Sequence, residues 1–191
     1  MKMHSAGWNL SFTVLLTSMV LLLAMWAGWL DWRSRRIPNW LTVPALGGGL
    51  LANTVAWGWV GTKAALEGAG LGLALLLPFV LLRGLGAGDW KLMGAMGAFL
   101  GPARLLVVLL GTVFIAGAMA VVEMVRRKRI KQTLANLWTL ILIIVTFGHR
   151  SARENISLDN PGLMALPFGV AAALSTVLFF CLVLAVRFSR P

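Results

Sequence analysis

Acidic residues are scarce in this sequence, and charged residues of any kind are few. The 191 residues include only six Asp and Glu, and Asp, Glu, Lys and Arg together make up 12% of the chain. Soluble domains have about a quarter of their residues charged, so an ordinary soluble domain is excluded. The single cysteine, Cys181, excludes an internal disulfide and a zinc site built on paired cysteines.

Apolar residues are abundant instead. They make up 59% of the chain, and the mean hydropathy is +0.86. Several apolar runs reach the roughly 20 residues that a helix needs to cross a bilayer. We therefore predict an all-α fold, a polytopic membrane helix bundle in which residues 1–191 form one membrane-embedded domain.

The apolar segments predict about six transmembrane helices and one short interfacial helix. The third segment carries Gly68 and Gly72 at the GxxxG spacing that lets helices approach closely. The fourth segment is short for a crossing, so a re-entrant element shielded by other helices is the alternative. The predicted crossings are residues 10–30, 40–60, 64–82, 90–101, 105–125 and 163–186, with 133–147 at the interface.

Basic residues are concentrated in a few loops between the apolar segments. The net charge is +11, and the strongest clusters are residues 33–36 and 126–131. Loops of this kind face the cytoplasm, which leaves the N-terminus outside. Their position predicts contact with anionic lipid head groups rather than with nucleic acid.

Two acids, Asp31 and Asp89, lie at the cytoplasmic ends of predicted crossings, whereas Glu67 and Glu123 have basic neighbours at helical spacing. Two neighbouring carboxyl groups cannot both ionise easily, so they can share one proton. Such a pair can activate water and protonate a peptide carbonyl, as in aspartic proteolysis. The alternative is structural: Asp31 pairs with Arg35, and Asp89 caps a helix.

The motifs around both acids resemble those of the type IV prepilin leader peptidases, a family of membrane aspartic proteases with a G-x-G-D signature. The resemblance covers nearly the whole chain in the same order. It rests on Asp31-x-Arg33-x-x-Arg36-Ile37-Pro38-Asn39, on Gly86-x-Gly88-Asp89-x-Lys91-Leu92, and on Leu166-Pro167-Phe168-Gly169 before the last segment.

The resemblance implies cleavage of prepilins or pseudopilins after a short basic leader, at the cytoplasmic face of the bacterial inner membrane. Asp31 and Asp89 carry over as the catalytic pair, with Gly86 and Gly88 shaping the loop and Lys91 assisting. No metal and no cofactor is implied. The chain lacks the cysteine-containing methylation domain of longer members and is similar to the short enzymes of Flp/Tad pili, so no methyltransferase activity is expected.

Two other functions are compatible with the sequence: a small ion-coupled transporter, and a non-catalytic subunit of a pilus or secretion assembly. Acids at the membrane edge favour the peptidase over the transporter, since coupling sites lie near the midplane. We also expect the substrate's apolar helix to pack beside the bundle at small residues. On that hypothesis, Leu at Gly94 or Gly97 impairs cleavage more than folding.

Overall fold

The computed structural model describes residues 3–81, 85–126 and 167–189. Within these ranges the chain forms four helices and no strand: α1 (Met3–Ser34), α2 (Asn39–Leu81), α3 (Ala87–Arg126) and α4 (Phe168–Phe188). Each contains a stretch long and apolar enough to cross a membrane. The predicted all-α, polytopic class is therefore confirmed, while the predicted interfacial helix at 133–147 lies outside the described residues.

The described part contains four helices where six crossings were predicted. The numbers differ because α2, with 43 residues, and α3, with 40, each include two of the predicted crossings. The two halves of each helix are separated by one non-helical glycine. A straight helix of that length would measure about 60 Å, twice the roughly 30 Å apolar layer of a bilayer. The interruptions lie at Gly58 (φ 58°, ψ −139°) and Gly101 (φ 74°, ψ 173°).

At Gly58 the second half of α2 turns back along the first half. The hydroxyl oxygens of Thr54 and Thr62 lie 2.8 Å apart. Residues eight positions apart in a straight helix would be separated by about 12 Å. The predicted second and third segments are thus real helical units, and Gly58 lies close to the predicted end of the former at residue 60.

A similar reversal occurs at Gly101 in α3. Cδ2 of Leu105 would lie 2.9 Å from a Cβ placed on Gly97, eight residues before it. The first half of α3 therefore comprises residues 87–100 and the second half residues 102–126. The predicted break at Gly101 is confirmed, and the first half starts three residues earlier than the predicted fourth segment.

The first half of α3 lies at the centre of its unit. All nine residues from 92 to 100 are buried, so the helix is enclosed on every side by the described residues. A helix that is apolar on all faces is suited to such a position. The enclosure provides the shielding that a re-entrant element would require, and equally suits a short crossing.

Small residues bring α2 and α3 into backbone contact. A Cβ on Gly68 would collide with the carbonyl oxygen of Gly97, and one on Gly72 would lie 2.7 Å from that of Met93. The close approach predicted from the GxxxG spacing is confirmed. The substrate-packing hypothesis is wrong at Gly94 and Gly97, because both face the chain's own α2: a Cβ on Gly94 would lie 2.8 Å from Leu73 Cδ2.

Helix α4 packs against α1. A Cβ on Gly28 would lie 2.9 Å from Ala173 Cβ and 3.2 Å from the Gly169 carbonyl oxygen. Residues Met1–Ile115 and Pro167–Pro191 form one compact unit, and Ala116–Leu166 form another, of which the end of α3 is described. All the contacts above lie within the first unit, and the single-domain interpretation stays a prediction.

Candidate active site

Asp31 lies in the last turn of α1, and its side chain is only 5% exposed. The sequence placed it just after the helix, but α1 continues to Ser34. The helix ends where Arg35 adopts a left-handed backbone (φ 54°) and its N–H bonds to the Asp31 carbonyl at 2.9 Å. The carboxyl group of Asp31 therefore projects from a regular helix into the interior.

The carboxyl group of Asp31 meets the N-terminus of α4. The N–H of Gly169 donates to Oδ2 of Asp31 at 2.8 Å, while the N–H of Val170 next to it donates to the Pro167 carbonyl at 3.2 Å. The N-cap residue of α4 is Pro167, and no side-chain hydrogen bond from that position caps the helix. Asp31 supplies the missing acceptor from another helix, where a carboxylate is favoured by the free N–H groups and the helix dipole.

Asp89 lies in the first turn of α3. The carbonyl of Gly86 accepts the first helical hydrogen bond, from Trp90 N–H at 3.2 Å, which makes Gly86 the N-cap. The Asp89 carboxyl group, three residues later, lies beside Gly86. This is the position that the carboxylate of a capping box occupies. A Cβ on Gly86 would lie 2.9 Å from Asp89 Oδ2, so glycine leaves room for the carboxyl group.

The structure brings the two carboxyl groups to the same end of the unit. Asp31 and Asp89 interact electrostatically, although they belong to different helices. Arg35 also acts electrostatically on Asp31, as the structural alternative required. The observed helix capping and the pairing of the two acids therefore occur together and do not exclude one another.

The two sequence motifs are joined by direct contacts. Nζ of Lys91 donates to Oδ1 of Asn39 at 3.0 Å, which ties the start of α3 to the start of α2. A Cβ on Gly88 would lie 2.8 Å from the carbonyl oxygen of Ile37 and 3.0 Å from its Cβ. Gly88 thus lies where another backbone comes close, Gly86 lies beside the Asp89 carboxyl group, and Lys91 links the starts of α2 and α3. The part of these three residues in catalysis stays a prediction.

The described residues of the site are suited to acid–base chemistry and include no group of metal ligands. Among them, no three side chains of His, Cys, Asp or Glu lie close enough together to hold a metal ion. Two carboxyl groups with different hydrogen-bond partners can exchange a proton through a water molecule between them. The prediction that no cofactor takes part stays a prediction.

Sequence reasoning missed two features of the site. One is the hydrogen bond from Gly169 to Asp31, which joins residues 138 positions apart. The other is Ile37, which is 7% exposed although it follows three arginines. Ile37 is an isolated aliphatic residue in a basic loop, and the proline after it favours an extended backbone. This pattern was the only indication in the sequence that its side chain is buried.

Comparison with known proteins identifies a family for this chain. The model of the type IV leader peptidase family matches residues 14–121, a range that includes both aspartates. Prepilin leader peptidase/N-methyltransferases of Aeromonas hydrophila and of Aeromonas salmonicida (strain A449) are 38% identical over 111 residues, or 54% of this chain. The aligned part covers 37% and 36% of those relatives, so the chain spans little more than a third of their length. No solved structure gives a significant match.

Proposed function

Because this chain belongs to the type IV leader peptidase family, we propose that it is a membrane-embedded aspartic endopeptidase. Its reaction is the removal of the leader peptide from prepilins or pseudopilins, carried out in one membrane-embedded domain. The proposal concerns the peptidase reaction alone.

The observation that carries the proposal is the meeting of Asp31 and Asp89 at one end of the unit, within electrostatic reach of each other. Asp31 is buried and Asp89 is half-buried; the N–H of Gly169 holds the Asp31 carboxyl group, and the Asp89 carboxyl group lies beside Gly86. Orientation of this kind is what a catalytic pair requires, because small displacements of reacting groups are costly.

The hydrogen bonds favour different roles for the two carboxyl groups. Asp31 accepts the N–H of Gly169 at the N-terminus of α4, and this hydrogen bond together with the helix dipole stabilises a negative charge. Asp89 lies beside Gly86 in the first turn of α3, and among the described residues it receives no hydrogen bond of that length from another helix. We therefore assign the shared proton to Asp89 and the charge to Asp31.

The reaction follows from that assignment. Asp31 takes a proton from water as the water oxygen bonds to the scissile carbonyl carbon, while Asp89 gives its proton to the carbonyl oxygen. Asp31 then protonates the leaving nitrogen, the carbon–nitrogen bond breaks, and Asp89 regains the proton from the hydroxyl group. The products are a leader with a free carboxyl group and a pilin with a new amino terminus.

The surroundings of the site fit an interfacial location. Arg33, Arg35 and Arg36 are exposed next to it, and Trp29, Trp32 and Trp40 are more than half exposed. Arginine and tryptophan are enriched at the membrane surface. We place this end at the cytoplasmic face of the bacterial inner membrane with the N-terminus outside, in contact with lipid head groups and without nucleic acid. The substrate binds through its apolar helix and its basic leader.

Asp31→Asn and Asp89→Asn test the proposal. Asparagine keeps an acceptor oxygen for the capping N–H groups but cannot exchange a proton, so it separates chemistry from helix capping. A prepilin is co-expressed with each variant, and its size and the amount of enzyme in the membrane are measured. Each substitution is expected to abolish processing with enzyme levels unchanged. Continued cleavage by either variant overturns the catalytic pair, while a transporter or an assembly subunit would leave prepilin size unaffected even in the wild type.

A further inference from the structure

Ile37 is a buried side chain within an otherwise exposed basic link. It is 7% exposed, whereas Arg35 and Arg36 before it are exposed, and it belongs to the hydrophobic core. The link that carries it joins the end of α1 to the start of α2. An isoleucine buried in so short a link indicates a specific contact rather than a connecting role.

The Cδ1 methyl group of Ile37 lies beside Gly169, the residue that holds the Asp31 carboxyl group. A Cβ placed on Gly169 would lie 3.1 Å from Ile37 Cδ1 and 2.9 Å from Asp31 Cβ. Gly169 is also the residue whose N–H holds Asp31 Oδ2. The terminal methyl group of Ile37 therefore packs where α4 meets Asp31.

The backbone and Cβ of Ile37 pack against Gly88, the residue before Asp89. A Cβ placed on Gly88 would lie 2.8 Å, 3.0 Å and 3.3 Å from the O, Cβ and N atoms of Ile37, respectively. Gly88 immediately precedes Asp89 in the first turn of α3. Ile37 thus packs beside Gly169, whose N–H holds the Asp31 carboxyl group, and against Gly88, which precedes Asp89.

The backbone on both sides of Ile37 is restricted. Arg35 has a left-handed conformation (φ 54°), which turns the chain out of α1. Pro38 disfavours a helical backbone at Ile37 and fixes its own φ. The carbonyl of Pro38 then accepts the N–H of Leu41 at 3.1 Å, which starts α2. Ile37 has little freedom to relax if its neighbours move.

We propose that Ile37 is a positioning residue that sets the separation between the carboxyl groups of Asp31 and Asp89. Its Cδ1 methyl group packs against the start of α4, and its backbone and Cβ pack against Gly88. The inference rests on the proposed function, since the separation matters for proton exchange through one shared water. It assigns a physical role to the isoleucine that follows the arginines of the first motif.

Ile37→Val is the sharpest test, because it removes only the Cδ1 methyl group and keeps the branched Cβ against Gly88. Purified enzyme in detergent is assayed on a prepilin, with kcat, KM and Tm measured for each variant. We expect kcat to fall roughly tenfold or more, with KM within twofold of wild type, because misplaced catalytic groups lower rate rather than binding. Ile37→Leu, which conserves volume and a δ-methyl group, is expected to retain more activity than Ile37→Val.

Val20→Ala is the matched control. Val20 is fully buried in the same hydrophobic core and lies three turns before Asp31 on α1. This variant is expected to lower Tm while kcat and KM stay near wild type. The inference is overturned if Ile37→Val keeps kcat within twofold, or if Val20→Ala loses as much kcat for the same fall in Tm.

Asp31→Asn in the same assay separates the proposed peptidase function from the positioning role of Ile37. If it is inactive and Ile37→Val is unchanged, only the role of Ile37 is lost. If Asp31→Asn still cleaves, the proposed function fails, and the positioning role fails with it. Should Ile37→Val not be recovered from the membrane, Ile37→Ala, which also lacks Cδ1, is assayed as processing per enzyme molecule in membranes of cells grown at low temperature: a value within twofold of wild type overturns the inference.

Discussion

The N–H of Gly169 donates a 2.8 Å hydrogen bond to Oδ2 of Asp31, which joins the start of α4 to the end of α1. The bond explains the Pro167-Phe168-Gly169 sequence in physical terms. Pro167 begins the helix without a side-chain acceptor, and glycine at 169 leaves space for a carboxyl group from another helix. Capping and catalysis are therefore compatible roles of one aspartate.

Gly169→Ala is expected to reduce cleavage roughly a hundredfold, because misplacing a catalytic group by about 1 Å has an effect of that size. The new Cβ would lie 2.9 Å from Asp31 Cβ and 3.1 Å from Oδ2, so the carboxyl group must move. Prepilin processing is measured against the amount of enzyme in the membrane. Gly117→Ala is the control, since no atom lies within 4 Å of its Cβ position. Normal processing by Gly169→Ala would contradict the importance of this contact.

The hydrogen bond between Lys91 and Asn39 is expected to stabilise the junction of α2 and α3 by about 1 kcal/mol. The two groups lie 3.0 Å apart, and the bond is exposed, so its contribution is modest. A double-mutant cycle of Lys91→Ala and Asn39→Ala, followed by unfolding in detergent, measures their coupling. Strictly additive losses of unfolding free energy would show that the bond contributes nothing.

Gly97→Ala is expected to lower the yield of folded protein and, with it, the activity in equal measure. Its Cβ would collide with the Gly68 carbonyl oxygen inside the unit, and crowding of this kind costs about 1–3 kcal/mol or more. Size-exclusion chromatography in detergent and Tm report the loss. Gly47→Ala, which has no atom within 4 Å of its Cβ position, should behave as wild type. A stable Gly97→Ala protein would contradict the close contact of α2 and α3 at this position.

Gly101→Ala is expected to destabilise the enzyme by about 1–3 kcal/mol, because φ 74° and ψ 173° belong to a region that essentially only glycine occupies. No atom lies closer than 3.8 Å to its Cβ position, so the effect is one of backbone strain rather than crowding. Gly70→Ala is the comparison, since it is exposed and helical with open space around it. Alanine there should leave Tm unchanged or raise it. Equal Tm values for the two variants would argue against a strained turn at Gly101.

The sequence predicted the helical class and several boundaries because these depend on local composition. The break at Gly101 follows from a glycine before a proline, and the turn at Gly58 lies near the predicted end of an apolar run. The topology inferred from the sequence led us to expect Asp31 and Asp89 near each other, since both were predicted at segment ends on the same side; that they act as a catalytic pair stays a prediction. The distances between the atoms around these two residues came only from the structure, because a pattern of charges along the sequence does not specify them.

The features that the sequence did not predict depend on which helix faces pack against each other. Small residues at helical spacing indicate close approach, but Gly94 and Gly97 could have faced a substrate as well as α2. The bond from Gly169 to Asp31 joins chain segments far apart, and helical periodicity carries no information about such a pairing. Ile37 belongs to neither helix, so its burial depends entirely on tertiary packing.

The enclosure of residues 92–100 restricts how Asp89 can be reached. Among the described residues, those at the start of α3 are open, with Gly86 and Ala87 exposed, while the helix beyond them offers no lateral opening. On the proposed function, a peptide bond would therefore reach Asp89 at this open start of α3 rather than along residues 92–100. Only a segment that extends past its own membrane helix, with its backbone unwound, can present a carbonyl there. The direction of access would thus distinguish a leader junction from peptide bonds deeper in the same apolar helix.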